Sequence, residues 1–353
     1  MKFKLMISVV LMLILTAIDW LSVLPKIATE NFLGAKAVAQ VRCDDSEEAC
    51  IDDDPNVSEP PCPYPDSPCI DAPRGSLPKI HIVSPSGGAL SPENTTPMLS
   101  WSAIPGATTY NVRLENYRGI VWDLETDRTQ TAYPENKPAL EPDTDYELIV
   151  ETIVGDRLIS GQVTFRLLGQ EEANRVSEQV RAIEQNSALS DEQKLVQLAI
   201  LYRDNYLFTR AIATLESGLQ SNPQSAAINQ MLGNLYLKVK LPELAEPPFN
   251  RALNLATTAG ERADARIGLA RVKIANEDWS GAIEHLTAAR ENYQSANNLE
   301  IAAQLAQFIG EVYEKSGNIQ AAIQWFEDAK TEYQDLGQQD RVDYLEEKLA
   351  NLR

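Results

Sequence analysis

Short runs of alternating apolar and polar residues occupy the chain between residues 77 and 168. A period of two is typical of strands that bury one face, and turns containing Gly or Pro separate the runs. The pattern predicts strands at residues 80–83, 98–101, 109–115, 120–125, 129–133, 146–153 and 162–167. Seven short strands within roughly ninety residues predict an all-β sandwich.

Three motifs follow one another within this segment. They are the run from Pro97 to Trp101, the run from Pro105 to Tyr110, and the spacing Leu140-x-Pro142-x-x-x-Tyr146. Together they resemble the fibronectin type III-like (immunoglobulin-like) domains over most of residues 77–168. The resemblance implies that Trp101 and Tyr110 fill the core, and that the hydroxyl of Tyr146 binds a nearby backbone group. Tyr117 and Trp122 are then the aromatic candidates for a contact surface.

From residue 171 the hydrophobic period becomes helical, and one pattern of small residues recurs four times. In each copy, three Ala or Gly residues are separated by twelve and then seven positions. The four triplets are Ala199, Ala211, Gly218; Gly233, Ala245, Ala252; Ala270, Ala282, Ala289; and Gly310, Ala322, Ala329. A large apolar residue lies between the second and third small positions, at Leu215, Phe249, Leu286 and Phe326. An aromatic follows the first small residue by three positions at Tyr202, Tyr236 and Tyr313, and Lys273 replaces it in the third copy.

This pattern resembles the tetratricopeptide repeat (TPR), in which small residues lie where the two helices of a hairpin approach closely. The resemblance implies an all-α TPR superhelix over residues 171–353, with repeats near 192–225, 226–259, 263–296 and 303–336 and flanking helices at 172–183 and 341–352. Successive copies are 34, 37 and 40 residues apart, so we expect longer helices or connections in the later repeats. We also expect Pro247 and Pro248 to kink the second helix of repeat two or to delay its start.

The TPR resemblance also implies a concave surface, lined by the first helix of each hairpin, on which family members hold peptides or partner proteins. The candidate contact residues at matching positions are Gln193, Arg203, Gln230, Asn234, Asp264, Arg271, Gln304, Gln307 and Glu311, together with the apolar Val196, Ile200, Leu237 and Ile267. The family's clamp for a terminal carboxylate needs basic and Asn residues in adjacent repeats. Asn234 and Arg271 match in kind, but Val196 and Ile200 occupy the first pair, so binding of chaperone tails is not expected.

Residues 1–39 have the features of a secretory signal peptide. Two lysines precede an apolar run at residues 5–18, and Ala37 and Ala39 form an A-x-A cleavage site. The run is too short to span a bilayer comfortably, so we expect cleavage after Ala39 and export to the periplasm, the cell surface or the medium. An uncleaved N-terminal anchor is the alternative, and membrane contact is expected only in that case.

Residues 40–76 are rich in Pro, Asp, Glu and Ser, which predicts a solvated acidic linker. All four cysteines lie here in two copies of one C-x6-C spacing, at Cys43, Cys50, Cys62 and Cys69. An even number in an exported chain predicts two disulfides, and three pairings are open. A zinc site is the alternative, but six intervening residues is wider than the usual two to four between zinc ligands.

Charge limits the classes of partner. The 353 residues include 31 basic and 51 acidic side chains, a net charge of −20. Binding of nucleic acid requires basic patches that neutralise phosphates, so we expect no nucleic-acid partner. A basic protein or peptide partner is electrostatically favoured.

Residues for catalysis are scarce. His81 and His285 are the two histidines, and they fall in different predicted domains. The chain has no phosphate-binding loop, dinucleotide fingerprint or zinc-protease motif, so we expect no enzyme activity, cofactor, metal or small-molecule substrate. The interpretation is an exported scaffold that binds a partner segment on the concave TPR face. The alternative is binding of a carbohydrate or envelope polymer by the sandwich near Tyr117 and Trp122, with the repeats serving assembly.

Overall fold

The computed structural model describes residues 79–353. The predicted signal peptide at residues 1–39, the acidic linker at 40–76 and the four cysteines lie outside the described residues. Cleavage, zinc binding and disulfide pairing therefore stay predictions.

The first part of the described chain is built from strands in two sheets. The strands are β1 Ile82–Ser84, β2 Gly88–Leu90, β3 Met98–Trp101, β4 Tyr110–Asn116, β5 Gly119–Thr126, β6 Gln130–Ala132, β7 Asp145–Val154 and β8 Arg157–Leu167. A three-stranded sheet has the order β1-β3-β6, and a five-stranded sheet has the order β2-β8-β7-β4-β5. All neighbours are antiparallel except β2 and β8, which are parallel, so the larger sheet is mixed.

The seven predicted strands are present, with ends shifted by a few residues, and β2 is an addition. The sequence pattern predicts a turn around Gly87 and Gly88, but residues Gly88–Leu90 pair with Phe165–Leu167 of β8. A three-residue strand that begins with Gly at φ +72° has neither the length nor the composition of a strand, so its pairing depends on β8.

Alternation along the strands builds one core shared by both sheets. In β7, Tyr146, Leu148 and Val150 are buried, while the intervening side chains lie on the outer face. Leu99 from the small sheet and Leu114 from the large sheet belong to the same buried cluster. The alternation that predicts the strands therefore also supplies the side chains that pack between the two sheets.

Two tyrosine hydroxyls satisfy backbone N–H groups at the edges of this core. The hydroxyl of Tyr146 accepts a hydrogen bond from the N–H of Glu141 at 2.8 Å. The hydroxyl of Tyr110 accepts one from the N–H of Ile104 at 2.9 Å, and its ring packs edge-on against Trp101. Trp101, Tyr110 and Tyr146 are thus core residues, in the roles that the sequence motifs predict.

The second part of the described chain is entirely helical. The helices are α1 Gln170–Glu184, α2 Asp191–Asp204, α3 Phe208–Ser221, α4 Ala226–Lys238, α5 Pro242–Leu255, α6 Ala259–Ala275, α7 Trp279–Ser295, α8 Leu299–Lys315, α9 Ile319–Asp335 and α10 Gln339–Leu352. Helices α2 to α9 form four consecutive hairpins that coincide with the four sequence repeats, and α1 and α10 flank them. The array is a TPR-like stack of helical hairpins, as predicted.

The small residues lie where the helices of each hairpin pack. All twelve are buried. A Cβ added to Gly233 would lie 2.8 Å from the ring of Phe249, and one added to Gly310 would lie 2.7 Å from the ring of Phe326. The recurring twelve-and-seven spacing is therefore a close-packing requirement.

The later repeats are longer because their helices are longer. Helices α6 to α9 each have 17 residues, whereas α2 to α5 have 13 or 14. The predicted lengthening is confirmed. Helix α5 begins at Pro242 and includes both Pro247 and Pro248, so the prediction of a delayed start is wrong. Pro242 occupies the first turn, where a missing N–H costs little.

The β part and the helical array share buried contacts. Ala89 of β2 and Leu168, just after β8, belong to the same core cluster as Phe208 at the start of α3. The N–H of Ala89 donates to the carbonyl of Tyr206 at 2.8 Å. A Cβ at Gly88 would lie 2.2 Å from that same carbonyl oxygen, so only glycine permits this approach.

Polar contacts reinforce the same junction. The N–H of Ser86 donates to Oγ1 of Thr209 at 3.0 Å. Arg166 of β8 donates from both terminal nitrogens to the carboxylate of Glu172 on α1, at 2.9 and 3.1 Å. These hydrogen bonds lower the pKa of Glu172. The two parts, predicted as separate domains, therefore belong to one compact unit.

Candidate functional site

The first helix of each hairpin carries the predicted contact residues on one side. We call this set the first-helix face, and it comprises Gln193, Arg203, Gln230, Asn234, Asp264, Arg271, Gln304, Gln307 and Glu311. Spacings of three, four and seven residues place such side chains on a common helix face. Asn234, Arg271 and Glu311 directly follow the first small residue of repeats two, three and four, so they occupy equivalent positions. All three are half-buried.

In the first repeat the predicted polar residues have local partners. The side chain of Gln193 accepts a hydrogen bond from the N–H of Ser190 at 2.9 Å, and Ser190 Oγ accepts one from the Gln193 N–H at 3.2 Å. This reciprocal pair caps the start of α2 and leaves Gln193 exposed. Arg203 forms an ion pair with its neighbour Asp204 at 2.8 Å.

In repeats two and three the face is linked across helices. The side-chain amide of Gln230 on α4 donates to the carbonyl of Asp264 on α6 at 3.1 Å. The carboxylate of Asp264 accepts a short hydrogen bond from the hydroxyl of Tyr293 at the end of α7. Burial raises the pKa of Asp264, and burial lowers the pKa of Arg271. Both charges are therefore poorly hydrated, and a partner group could interact with them strongly.

In repeat four the predicted residues interact mainly with one another. The amide of Gln307 donates to Oε1 of Glu311 at 2.9 Å, and the hydroxyl of Tyr333 donates to Oε1 of Gln307 at 3.3 Å. Gln307 is only 4% exposed. Burial raises the pKa of Glu311, although the nearby Lys348 of α10 acts in the opposite direction. Gln304 on the same helix is half-buried, and its side-chain oxygen has no hydrogen-bond partner within the described chain.

The apolar residues of the predicted groove differ from one another in burial. Val196, Ile200 and Leu237 are half-buried, so part of each side chain reaches the surface. Ile267 is buried in the core of repeat three. Apolar contact with a partner is therefore available on α2 and α4 and is largely closed on α6.

Tyr293 and Tyr333 are functional candidates that the sequence reasoning missed. Each lies four residues after the third small residue of its repeat, where the first two repeats have Asn222 and Ala256. Each hydroxyl reaches a residue of the first-helix face. The signal for Tyr293 was the step of 40 residues between the third and fourth copies, because that step includes the longer helix α7, which carries Tyr293 near its end.

Trp122 and Tyr117, the aromatic residues of the alternative interpretation, differ in how far they are exposed. Trp122 is 6% exposed and packs edge-on against Tyr133, so its predicted role in a contact surface is wrong. Tyr117 is 77% exposed, and the guanidinium of Arg118 lies over its ring at 4.9 Å. The side chain of Trp122 faces inward from β5, where packing its large ring in the core is energetically more favourable than leaving it in solvent.

The two histidines lie in different environments. Nε2 of His81 lies 3.6 Å from the carboxylate of Glu243. His285 lies on α7, where burial lowers its pKa. Within residues 79–353, no three His, Cys, Asp or Glu side chains are grouped so as to hold a metal ion. None of the helices in that range is both long and apolar enough to cross a membrane.

Known proteins resemble parts of the chain. A family model for soluble NSF attachment protein (SNAP) matches residues 249–353, which is less than half of the chain. A crystal structure of MamA protein is 21% identical over 48% of this chain and 88% of its own, with a TM-score of 0.39. MamA 41-end from Desulfovibrio magneticus RS-1 is 18% identical over 47% and 91%, with a TM-score of 0.39. No curated protein matches the chain.

Proposed function

We propose that this chain is a non-catalytic scaffold that binds a segment of a partner protein on its first-helix face. The observation that carries the proposal is the row of equivalent polar residues Asn234, Arg271 and Glu311 on three consecutive first helices. Each is half-buried, so each keeps some surface for a partner while its hydration is reduced. Hydrogen bonds from a partner to charged or polar groups of reduced hydration are stronger than the same bonds in open solvent.

The chemistry of the face favours a polar or basic segment. Asp264 and Glu311 are carboxylates whose pKa is raised by burial, so a cation beside them would be stabilised. Half-buried Val196, Ile200 and Leu237 at the N-terminal end would contact apolar side chains of the same segment. The net charge of −20 steers a basic partner toward the chain and repels nucleic acid.

We also propose that the β part is a fibronectin type III-like sandwich and that the chain is exported. The hydrogen bond between Tyr146 and Glu141 supports the sandwich assignment, because it is the expected tyrosine corner. Export rests on the pattern of residues 1–39, and it would allow Cys43, Cys50, Cys62 and Cys69 to form disulfides. Sequencing the N terminus of the chain from cells and counting its free thiols test both points. A mature chain that starts at Met1 would contradict cleavage and favour the uncleaved anchor, whereas four free thiols would contradict disulfide formation in an oxidising compartment.

The partner site is tested by matched variants of the full chain. The chain is first used as bait, and the dissociation constant of each captured protein is then measured. We expect Asn234→Ala combined with Arg271→Gln to weaken binding of a true partner at least about tenfold. The control combines Gln220→Ala and Asn250→Ala, which alter exposed polar residues on the second helices α3 and α5. Unchanged affinity in the first variant, with its helix content intact, would refute the proposed site.

A further inference from the structure

The two sheets end in four strands, and one of these end strands is long and open. β1, β2 and β6 have three residues each, and β2 is also anchored to Tyr206. The part of β8 that extends beyond β2 is approached closely by the backbone of Ile80 at Gly161. β5 has eight residues and pairs only with β4 among the described strands. Its other edge therefore presents backbone N–H and C=O groups to an added strand.

The composition of β5 is compatible with such pairing. Residues Gly119–Thr126 include Ile, Val, Trp and Thr, which have high strand propensity. They include no Pro, Lys or Arg, the residues that commonly keep an edge strand from pairing. The register shift in the pair of β4 and β5 lies between Leu114 and Glu115, so residues 122–126 keep a regular register.

One face of this regular segment leaves apolar surface uncovered. Trp122 and Leu124 lie opposite the buried Leu114 and Val112 of β4, on the core side of the sheet. Leu124 is nevertheless 36% exposed, because β5 is the end strand and no described strand lies beyond it. An apolar side chain on an added strand would cover this remaining surface.

The other face of the segment is acidic. Asp123 and Glu125 lie on the outer side of the sheet, and both are exposed. Asp123 is opposite Arg113 of β4, but the guanidinium of Arg113 is paired with Glu115 and Glu151. Basic residues on an added strand, directly across from Asp123 and Glu125, would form cross-strand ion pairs.

Charge decides between the possible occupants of this edge. If a second copy paired its own β5 antiparallel with this one, registers centred on Asp123 or Leu124 would place Asp123 across from Asp123 or Glu125 of that copy. Like charges directly opposite destabilise an antiparallel pair, so self-pairing is disfavoured. The net charge of −20 likewise attracts a basic segment rather than another copy of the chain.

We propose that β5 is a docking strand for an extended segment of a partner protein in which basic residues alternate with apolar ones. The segment adds a strand to the large sheet, antiparallel to β5. Its basic side chains lie across from Asp123 and Glu125, and an apolar side chain between them lies across from Leu124. Main-chain hydrogen bonds supply affinity, and the alternating side chains supply the choice of partner. This surface is separate from the first-helix face.

The test uses the full chain and short blocked peptides, with binding followed by calorimetry. In acetyl-Val-Lys-Val-Lys-Val-amide, both lysines lie across from Asp123 and Glu125 when the central Val lies across from Leu124. We expect this Lys peptide to bind at least about tenfold more tightly than the Glu peptide, which has Glu in place of both Lys residues. Equal affinities of the Lys and Glu peptides would overturn the proposal.

Two N-methylated forms of the Lys peptide test whether the backbone pairs. One is methylated at the nitrogen of the central Val, and the other at the nitrogens of both Lys residues. In an antiparallel pair only every second residue hydrogen-bonds to a given neighbouring strand. One form should therefore bind at least about tenfold more weakly than the other, and equal affinities of the two forms would exclude strand addition.

Charge reversal locates the binding on β5. Asp123→Lys combined with Glu125→Lys should reverse the preference, so that the Glu peptide binds at least about tenfold more tightly than the Lys peptide. The control, Glu135→Lys combined with Glu178→Lys, reverses two exposed acids elsewhere and changes the net charge equally, so it should keep the preference for Lys. An unchanged preference in the first variant, with its thermal midpoint intact, would refute docking on β5.

Amide hydrogen exchange separates this docking from the other occupants. Binding of the Lys peptide should slow exchange at alternate residues of β5. Slower exchange on the first-helix face alone would place the basic peptide in the site proposed above. Protection of β5 without peptide, together with a dimer in sedimentation, would identify a second copy as the occupant. Either of these two results would overturn the proposal.

Discussion

At the first small position of each repeat, the residue is matched in size to the large side chain of the same hairpin. Gly233 and Gly310 occur with Phe249 and Phe326, whereas Ala199 and Ala270 occur with the shorter Leu215 and Leu286. All four large side chains are completely buried. The pairing shows that Ala and Gly are not equivalent at this position, because the neighbouring ring fills the space of a missing Cβ.

Gly310→Ala should destabilise the array by about 1–3 kcal/mol, because the added Cβ overpacks the site against Phe326. Adding Phe326→Leu to Gly310→Ala should recover part of this loss, since the two positions then hold Ala and Leu, as they do in repeats one and three. Urea denaturation of both single variants and the double variant measures the coupling. Gly260→Ala, in the first turn of α6 with no close neighbour, is the control and should not destabilise. Additive losses from the two changes would contradict size matching.

The buried carboxylate of Asp264 should make stability depend on pH. Burial raises its pKa, so the folded chain binds this proton more tightly than the unfolded chain does. The bound proton therefore adds to the free energy of unfolding at low pH, and this contribution is lost as pH rises through the pKa of Asp264 in the folded chain. Asp264→Asn keeps an oxygen for the hydroxyl of Tyr293 and should raise the thermal midpoint at pH 7.

The measurement is the thermal midpoint of Asp264→Asn and of the unmodified chain as pH rises from about 4, the ordinary pKa of an aspartate, to neutral pH. The variant should show a smaller gain on acidification than the unmodified chain. Asp328→Asn, an exposed residue of α9, should leave the pH profile unchanged. A lower midpoint for Asp264→Asn at pH 7 would show that the charge itself stabilises the fold.

At the scale of helices, a lysine with acidic partners replaces an aromatic residue at one position of the repeat. Tyr202, Tyr236 and Tyr313 occupy one position of the repeat, and Lys273 takes it in repeat three. Nζ of Lys273 lies 3.1 Å from Oε1 of Glu246 on α5, so the lysine links α6 to the preceding hairpin. The departure from the repeat pattern is therefore compensated by a charged residue in the neighbouring repeat.

Lys273→Met should reduce the free energy of unfolding by about 1 kcal/mol, because it removes the partner of a partly buried carboxylate. Glu246→Gln added to Lys273→Met should recover most of that loss, since the unpaired charge is gone. Denaturant unfolding in low and high salt gives both values, and the effect of Lys273→Met should shrink as salt rises. A loss that does not depend on Glu246 would assign the role of Lys273 to packing or to Asp278, whose Oδ2 lies 3.9 Å from Nζ.

At the scale of the whole described region, the β part and the array are joined by a backbone approach. Gly88, with φ +72°, sits against the carbonyl of Tyr206, which itself has φ +60°. The junction also forms the walls of a cavity beside Arg210. The orientation of the first-helix face relative to the sheets is therefore set by local contacts rather than by a flexible linker.

Gly88→Ala should loosen the junction, because its Cβ would overlap the Tyr206 carbonyl. We expect a loss of about 1–3 kcal/mol and faster amide exchange at Ala89, whose N–H donates to Tyr206. Gly155→Ala is the matched control, since Gly155 has φ +62° but no neighbour near its added Cβ. If both variants change Ala89 exchange equally, backbone strain alone would explain the effect.

Prediction from sequence succeeded where one residue type repeats with the period of its element. The alternation around Tyr146 predicted β7, and the recurring Ala and Gly residues predicted four hairpins, because burial at a fixed period is a local property. Prediction from sequence failed for β2, because that strand forms only by pairing with β8. It also failed for Trp122, because the burial of its side chain depends on which sheet packs against β5. The predicted site residues were placed on one face, but their hydrogen-bond partners could not be read from spacing.

The sequence by itself determined the order of elements, the four repeats and their lengthening, since these follow from hydrophobic period and residue size. Only the tertiary structure decided how much of each contact residue is exposed. Gln307 is enclosed by Tyr333, whereas Asn234 keeps part of its surface, although both occupy the predicted face. The physical reason is that burial depends on which distant helices pack together, and the cavity beside Arg210 exists only because the β part meets the array.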